Sequence, residues 1–463
     1  MKLTRALALF AVMALIVAAC GDSGTTTTEA ATATTQPTAT TQPTATTQTP
    51  DTTEALMEMV SDFGFDAETN TIKLGVLAAI TGPIPGIGQS VLAGHQVYWE
   101  KVNAAGGING MYPVEVVVRD NAYNPETNVV VYNEIKDEVL AFSSTLGTPT
   151  TATIYEAAST EDIIIAAGSL ASQWALTDNV ILNLGANSYF AQFANAPYWA
   201  MEIADPAVIT ADSVVGIIYQ ADDYGADCLN GYNFAVDNLD FNAAYEATYA
   251  ATDTDFSGQI GGAAAAGVDV LFVCALPGAL ATMLGTAAAV QYSPAVFGSS
   301  PSYNVALPAA LGAGDEAAGL ELFNSFPFYN LGTSAPFEAD FPGMATLRDD
   351  LATYGADLPP EVVNAFFYFG YTQGATFEAL LQTAIANGDI SRAGLLSAID
   401  QTMGIDLQVG AGIAGWGPTP KDRIPSNQDS IGIPASLADR AFGLEPISDF
   451  FEAPYMAGWD PAG

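Results

Sequence analysis

The stretch Ile72–Ser90, IKLGVLAAITGPIPGIGQS, gives the first indication of the fold. Its opening residues, Ile72–Ile80, are apolar enough to predict a buried strand, and glycines and prolines follow at once. A glycine-rich loop after a strand is typical of phosphate binding, but this loop has neither the lysine of a Walker motif nor GxGxxG spacing. Pro83 and Pro85 also remove amide donors that a phosphate cradle would use. The stretch therefore predicts a stiff turn that leads from a strand into a helix.

Similar apolar runs recur along the chain and alternate with stretches of helical periodicity. Such alternation is typical of parallel sheets covered by helices on both faces. A chain of 463 residues is too long for one open sheet and shows no eightfold rhythm. We therefore predict an α/β fold of two doubly wound parallel-sheet lobes with a ligand cleft at the carboxyl ends of the strands. The predicted strands are Ile72–Ile80, Val114–Arg119, Ala141–Leu146, Ile163–Ala167, Val214–Tyr219, Val268–Ala275 and Ala295–Gly298.

The amino-terminal segment differs from the rest of the chain. Lys2 and Arg5 precede about 14 apolar residues, fewer than the roughly 20 needed to span a bilayer, so residues 1–19 are predicted to be a signal peptide. The following VAAC is similar to a bacterial lipobox, which implies cleavage before Cys20 and a lipid on its sulfur. The alternative is a plain signal peptide with an incidental cysteine. Residues 20–58, rich in Thr, Ala, Gln and Pro, bury too little to fold and predict a disordered tether.

The net charge limits the class of partner. Asp and Glu number 51 against 11 Lys and Arg, which gives a formal charge of −40. Nucleic acid and anionic lipid surfaces are bound through basic patches, so we predict that neither is a ligand. A saline or acidic habitat would suit such a charge, and so would an ordinary solvated surface.

Few residues in this chain could support catalysis or bind a metal. The single histidine, His95, rules out a His-rich metal site and is the one candidate for a serine triad, although it lies in a predicted helix where packed histidines are common. Cys228 lies just after the turn that follows one predicted strand, Cys274 lies at the end of the next, and the two form either a disulfide or two buried thiols. We predict no metal, no cofactor and no enzymatic activity.

The segment LGVLAAITGPIPGIGQSVLAGHQVYWEKVNAAGGINGMYPVEVVVRD, which starts at Leu74, resembles the amino-terminal part of the leucine/isoleucine/valine-type substrate-binding proteins of ABC transporters. In that family a Thr-Gly-Pro loop ends the first strand, and an NAAGGING turn leads to a second strand that ends in Asp. Thr81-Gly82-Pro83, Asn103–Gly110 and Asp120 match these features. The resemblance covers about Ile72–Tyr303 and is loose from about Asp406 onward.

This resemblance implies the type I periplasmic-binding fold, whose two lobes are each built from two parts of the chain. Residues 70–190 and 323–405 would form the amino-terminal lobe. Residues 191–322 and 406–463 would form the carboxyl-terminal lobe.

The family's ligand contacts carry over residue by residue. Thr148 stands where a hydroxyl bonds the ligand carboxylate, Ser169 stands where a carbonyl is presented, and Tyr224 matches an aromatic of the second lobe. Ala171 occupies a position that usually holds a hydroxyl, with Ser172 beside it. The predicted ligand-binding residues are Gly147, Thr148, Ser169, Leu170, Ala171, Tyr224, Leu276 and Ser300.

Three departures from the family pattern bear on the ligand. Leu276 and Ile87 replace frequent aromatics, and Ser300 stands where amino-acid binders usually have an acid for the ammonium. A buried ammonium without an anion costs several kcal/mol, so an ordinary zwitterionic amino acid is disfavoured unless Asp222 or Asp223 substitutes. We expect an amide, a carboxylic acid or an aromatic acid to be preferred over leucine.

The expected function is that of an extracytoplasmic lipoprotein that captures a small solute for ABC permease and ATPase subunits and is anchored to the bacterial cell membrane. Two alternatives stay open: a ligand sensor that feeds a membrane receptor, and a structural surface lipoprotein with a degenerate cleft. The aromatic run Phe366–Tyr371 lies in a helical pattern, so we predict that it packs in the core instead of lining the cleft.

Overall fold

The computed structural model describes residues 59–332, 334–410 and 412–463. The predicted signal peptide, the lipidation site at Cys20 and the tether at 20–58 lie outside these residues. Within the described part of the chain, no helix combines the length and apolar character needed to cross a membrane.

The first sheet lies in the amino-terminal lobe and is built around the strand predicted at Ile72. This strand, β2, pairs in parallel with β3 on one side and β4 on the other, and β5 and β6 extend the sheet beyond β4. Its last five residues are all buried because helices cover both faces. The strands are β1 (Phe65–Asp66), β2 (Thr71–Ala78), β3 (Val114–Asp120), β4 (Ala141–Leu146), β5 (Ile165–Gly168) and β6 (Val180–Ile181).

The second sheet has a parallel body and an antiparallel edge. Five strands run parallel, and two strands from the carboxyl-terminal part of the chain pair antiparallel beside them. Its order is β15-β14-β11-β10-β9-β7-β8. These strands are β7 (Val214–Gln220), β8 (Asn242–Tyr249), β9 (Val270–Cys274), β10 (Ala295–Gly298), β11 (Phe328–Leu331), β14 (Ile431–Pro434) and β15 (Leu444–Pro446), while β12 (Ile405–Asp406) and β13 (Ile413–Ala414) form a separate pair.

Helices follow most strands, so the prediction of an α/β fold with two parallel-sheet lobes is confirmed. The helices are α1 (Pro85–Ala104), α2 (Pro125–Ile135), α3 (Thr148–Ala152), α4 (Tyr155–Thr160), α5 (Tyr189–Tyr198), α6 (Asp223–Asn238), α7 (Ser257–Ala265), α8 (Pro277–Ala289), α9 (Leu307–Leu311), α10 (Glu316–Ser325), α11 (Pro342–Tyr354), α12 (Ala365–Ala386) and α13 (Arg392–Ala398).

The chain crosses between the lobes at different points from those that we expected. The strand β11, which the sequence analysis assigned to the amino-terminal lobe with residues 323–405, pairs with β10 and β14 in the second sheet. The second crossing therefore follows Leu331. The segment 406–463 contributes β14 and β15 to the second sheet, but its Trp416 and Phe442 pack in the core of the first lobe. This segment belongs to both lobes because its strands pair in the second sheet while its aromatic side chains pack in the first lobe.

The loop that follows β2 is shaped by hydrogen bonds to Asp120 at the end of β3. Asp120 Oδ1 accepts from the amides of Ile80 and Ala122 at 2.9 Å, and Oδ2 accepts from the Thr81 hydroxyl at 2.6 Å. Gly82 has a φ of +86°, and a Cβ there would lie 2.2 Å from the Ala122 carbonyl oxygen, so only glycine fits. The loop then enters α1 at Pro85, a favoured first helical residue. These contacts fix the loop at the carboxyl end of β2.

Candidate functional site

A cavity lies between the lobes, beyond the carboxyl ends of the parallel strands, which is where the fold predicts a ligand. It has an empty volume of about 1260 Å³, part of it open to the surrounding water. Loops of the first lobe contribute Ile87, Thr148 and Ser169, and loops of the second lobe contribute Tyr224 and Leu276. A solute in this cavity would touch both lobes at once.

The structure brings seven of the eight predicted site residues together in this cavity. They are Gly147, Thr148, Ser169, Leu170, Tyr224, Leu276 and Ser300. Ala171 is not among the lining residues: its side chain is fully buried in the hydrophobic core, and its amide donates to Ser169 Oγ at 3.3 Å. The proposed contact at Ala171 is therefore wrong, because the chain turns inward one residue after Leu170.

A chain of hydrogen bonds ends at the polar side of the cavity. The indole Nε1 of Trp174 donates to Ser169 Oγ at 3.0 Å, and Ser169 Oγ lies 2.7 Å from Thr148 Oγ1. Because Ser169 Oγ already accepts from Trp174 and from the Ala171 amide, its own proton points to Thr148. The Thr148 hydroxyl proton is then available to Tyr189 or to a solute. Burial raises the pKa of Tyr189, while hydrogen bonds from the Leu170 amide and from Thr148 oppose that rise.

Tyr224 forms part of the opposite wall and is held by the second lobe. Its hydroxyl lies 2.5 Å from Ser299 Oγ and donates to the Ala275 carbonyl at 3.2 Å, and its ring meets Tyr189 edge-on with centroids 4.7 Å apart. Burial raises the pKa of Tyr224, so it stays neutral. Tyr224 therefore offers a solute its ring and not a free hydroxyl.

Ser300 lies in a neutral amide network that the sequence analysis missed. Gln192 Oε1 accepts from the Ser300 amide at 2.9 Å, and Gln192 Nε2 donates to Ser300 Oγ at 3.1 Å and to Asn187 Oδ1 at 3.2 Å. Gln192 is on α5, and no local motif distinguishes it from other helical glutamines. At the position where the family resemblance implies an acid, Ser300 thus bonds the uncharged Gln192, and the network reaches a carboxylate only through Asn187, at Asp429.

No Asp, Glu, Lys, Arg or His is found among the described residues that line the cavity. The two acids that the sequence analysis offered as substitutes lie elsewhere: Asp222 caps α6, and Asp223 accepts from Gln173 Nε2 at 3.2 Å. Burial raises the pKa of Asp222, while its hydrogen bonds to Gln220, Gly225 and Tyr224 oppose that effect.

A buried acid, Asp429, accepts hydrogen bonds from three separate parts of the chain. Its Oδ1 accepts from the amides of Gly332 at 2.6 Å and Ser430 at 2.8 Å and from Asn187 Nδ2 at 3.4 Å. Its Oδ2 has no hydrogen-bond partner among the described residues. Burial raises the pKa of Asp429 to about 7, although these hydrogen bonds oppose the rise. Asn187, Gly332 and Ser430 line the cavity, whereas Asp429 lies behind them.

Most of the remaining lining is apolar. In the aromatic run Phe366–Tyr371, Phe367 and Tyr371 pack in the first-lobe core, Phe366 and Phe369 line the cavity, and Tyr368 does both. The prediction that the whole run packs in the core is therefore wrong in part. A close approach sets this orientation, since a Cβ on Gly94 of α1 would lie 2.0 Å from the Phe367 carbonyl oxygen.

The lobes contact each other beside the cavity. The carboxylate of Asp227 on α6 accepts from the Ser172 amide at 3.0 Å, from the Ser172 hydroxyl and from the Phe190 amide at 2.9 Å. Burial raises the pKa of Asp227 to about 6 against these bonds. At the rim, a Cβ on Gly86 would lie 4.0 Å from Asn304 Nδ2 of the second lobe.

The next residue after Asp227, Cys228, lies against Cys274 at the end of β9. The structure places their sulfur atoms at bonding distance, with Cα atoms 6.3 Å apart. A bond between them would tie the helix that carries Tyr224 to the strand that precedes Leu276. The disulfide itself stays a prediction that thiol titration would test.

The single histidine is far from this chemistry. His95 Nε2 lies 2.9 Å from Ser143 Oγ and accepts from Trp99 Nε1 at 3.0 Å. His95 and Ser143 are fully buried, and neither lines the cavity. In the described chain, no group of three or more His, Cys, Asp or Glu side chains is placed to hold a metal ion.

Comparisons with known proteins agree with this architecture. The chain is 31% identical over 88 residues to the leucine-, isoleucine-, valine-, threonine- and alanine-binding protein of Pseudomonas aeruginosa, covering 19% of this chain and 23% of that protein. It is 25% identical over 202 residues to Leu/Ile/Val-binding protein homolog 3 of Brucella melitensis, covering 43% of this chain and 53% of the relative. The chain thus matches about a quarter and about half of the lengths of these relatives.

Among solved structures, a fatty acid ABC transporter substrate-binding protein from Thermomonospora curvata superposes with a TM-score of 0.76. It is 24% identical and covers 87% of this chain and 97% of its own, which supports the type I periplasmic-binding fold predicted from the sequence. A family model described as periplasmic binding protein matches residues 71–425, which is most of the chain. The chain therefore belongs to the periplasmic binding protein family.

Proposed function

We propose that this protein is an extracytoplasmic solute receptor of an ABC uptake transporter, anchored to the cell membrane by a lipid on Cys20. The observation that carries the proposal is the inter-lobe cavity, in which seven residues predicted from separate loops lie together. Membership of the periplasmic binding protein family supports the location and the non-enzymatic role. ABC permease and ATPase subunits are the proposed partners.

The proposed mechanism is capture by closure of the lobes. A solute held by Thr148 and Ser169 on one side and by Tyr224 and Leu276 on the other gains contacts only when the lobes come together, so it stabilises the closed form by differential affinity. The bonds of Asp227 to Ser172 and Phe190 would favour the same form. The membrane subunits would then recognise closure.

The proposed solute is small and is amino-acid-like, an amide or a carboxylate. The relatives named above bind branched-chain amino acids or a fatty acid by their descriptions, and both have a carboxylate attached to an apolar group. The hydroxyls of Thr148 and Tyr189 suit such a head group. The neutral surroundings of Ser300 do not suit an ammonium.

The solute proposal is tested by differential scanning fluorimetry against a panel of amino acids, carboxylic acids, amides and aromatic acids. We expect at least one class to raise the melting temperature in the wild type and to do so less in Thr148→Ala. Mass spectrometry of small molecules released from the purified protein would identify a native solute. If no compound stabilises the protein across a broad panel, the solute-receptor proposal fails and a structural role is favoured.

The anchor is tested separately in cells. Wild-type protein should fractionate with membranes and enter the detergent phase, and Cys20→Ser should be released. Equal membrane association of both forms would refute lipidation at Cys20.

A further inference from the structure

We infer that the cavity takes an acyl compound: a hydrocarbon chain of several carbons that ends in a single carbonyl head, either an acid or its primary amide. This inference rests on the proposed function and names the solute class for the same site. It follows from two apolar walls, from the hydroxyl donors between them and from the neutral network at Ser300.

The first apolar wall is a cluster that belongs to neither lobe core. Its buried members Ile84, Ile87, Val91 and Leu146 are 3–6% exposed and line the cavity, in a cluster distinct from those that fill the lobes. Partly exposed side chains from both lobes pack against it: Tyr123, Leu276, Phe366 and Phe369. A wall of this kind buries the hydrocarbon of a solute and offers it no polar partner.

The second apolar wall comes from the carboxyl-terminal segment. Phe442, Leu444 and Phe450 line the cavity. Phe442 packs on the first lobe, with its ring centroid 5.4 Å from that of Phe337, whereas Leu444 packs in a core cluster of the second lobe. This segment therefore closes a side of the cavity that the two strand-end loop sets would leave open.

The head group has donors but no charge partner. The Thr148 hydroxyl proton is available because Ser169 accepts from Trp174 and donates to Thr148. A carbonyl oxygen is the group that such donors bind. An ammonium would instead meet Ser300 and Gln192, which are already paired with each other. The described lining has no carboxylate, and Asp429 lies behind Asn187, Gly332 and Ser430, so an α-amino group in the cavity would lose its hydration without a direct counter-ion.

A matched pair of ligands tests the head group. Leucine and 4-methylpentanoate differ only by the amino group, so calorimetry on the lipid-free chain that starts at residue 21 isolates its effect. We expect 4-methylpentanoate to bind at least 10-fold more tightly than leucine. The reverse order would overturn the inference and leave the proposed function intact.

A homologous series of ligands tests whether the cavity binds a hydrocarbon chain. From butanoate to octanoate, and in octanamide, each added methylene should tighten binding about fourfold, or roughly 200-fold over four methylenes. Affinity that does not change with chain length would overturn the inference. If neither these compounds nor any amino acid binds, the proposed function fails as well.

A pair of variants tests whether the hydrocarbon chain of the ligand lies against the first apolar wall. Leu276→Asn puts an amide on the first apolar wall at the start of α8 and should weaken octanoate at least 10-fold while changing butanoate less than threefold. Val290→Asn, at the exposed end of the same helix, is the matched control and should change neither. Melting temperatures of both variants report folding. Equal loss of butanoate and octanoate in Leu276→Asn, or equal octanoate binding in the two variants, would overturn the placement.

Discussion

Asp429 gives the most quantitative prediction, because its carboxyl group has no exposed surface and accepts hydrogen bonds from three separate parts of the chain. Asp429→Asn keeps an oxygen that can accept from Gly332, Ser430 and Asn187 and removes the charge. The amide nitrogen takes the place of Oδ2, which has no described hydrogen-bond partner. Any cost of burying that amide is the same at every pH.

The pH-dependent contribution of Asp429 to the free energy of unfolding follows from the linkage between proton binding and folding. Burial raises the pKa of Asp429 from 3.8 to about 7, so the folded protein binds its proton more tightly than the unfolded chain does. Its stabilising contribution is present below pH 4 and is lost as the pH rises to about 7, for a total of about 4 kcal/mol. Between pH 5 and pH 8 the loss is about 3 kcal/mol, which Asp429→Asn should avoid.

The assay is thermal unfolding of wild type and variant at pH 5 and pH 8. With an unfolding entropy of about 2.1 cal/mol/K per residue, the melting temperature of Asp429→Asn relative to wild type should rise by about 3 °C from pH 5 to pH 8. Groups that titrate in both proteins contribute equally to both melting temperatures, so their effects cancel in this difference. Asp212→Asn, an exposed control, should show no such change. An equal difference at the two pH values would refute a raised pKa at Asp429.

Three further predictions concern the site, the disulfide and the buried histidine. Thr148→Ala should weaken solute binding by about 1–3 kcal/mol while Thr148→Ser retains it, measured by calorimetry; unchanged affinity in the alanine variant would remove this hydroxyl from the site. A bond between Cys228 and Cys274 closes a loop with a sequence separation of 46, so reduction should lower the free energy of unfolding in urea by up to about 4 kcal/mol. Two reactive thiols in denatured, unreduced Cys20→Ser protein would contradict the bond. Burial lowers the pKa of His95 from 6.5 to about 4, so the neutral side chain makes its full contribution to stability above pH 6.5 and loses it as the pH falls through 4. Relative to His95→Gln, the free energy of unfolding measured in urea should therefore fall by up to about 3 kcal/mol. Unfolding free energies that change in parallel with pH in the two proteins would refute this.

The strands could be predicted where their sequence is continuously apolar. Val214–Gln220 and Ala295–Gly298 are central strands covered on both faces, and the sequence shows them as uninterrupted apolar runs. Asn242–Tyr249 was missed because it is the edge strand beside β7, largely exposed and composed of Asn, Ala, Glu and Thr with two tyrosines. Phe328–Leu331 was placed in the wrong lobe because the family resemblance ends before it, at about Tyr303, and its partner β14 is distant in sequence.

The site could be predicted where a loop follows a recognisable strand. The family resemblance pointed to Thr148 and Tyr224, and both lie in the cavity because the carboxyl ends of parallel strands meet at one edge. Gln192 and Phe442 were missed because a helix packed from the side brings Gln192 against Ser300, and a returning terminal segment brings Phe442 to the cavity. The helical period of the aromatic run correctly predicted a helix, but period alone does not tell a core from a cavity wall.

The rim contact between Gly86 and Asn304 has a practical consequence for following this molecule in solution. These residues lie on opposite lips of the cleft, and their separation would lengthen as the lobes part. The chain has three cysteines, of which two lie against each other and the third is Cys20 in the leader region. Cysteines introduced at 86 and 304 in a Cys20→Ser background would thus lie close enough to form a disulfide while the lobes are together, and the rate of this cross-linking with and without solute would record capture.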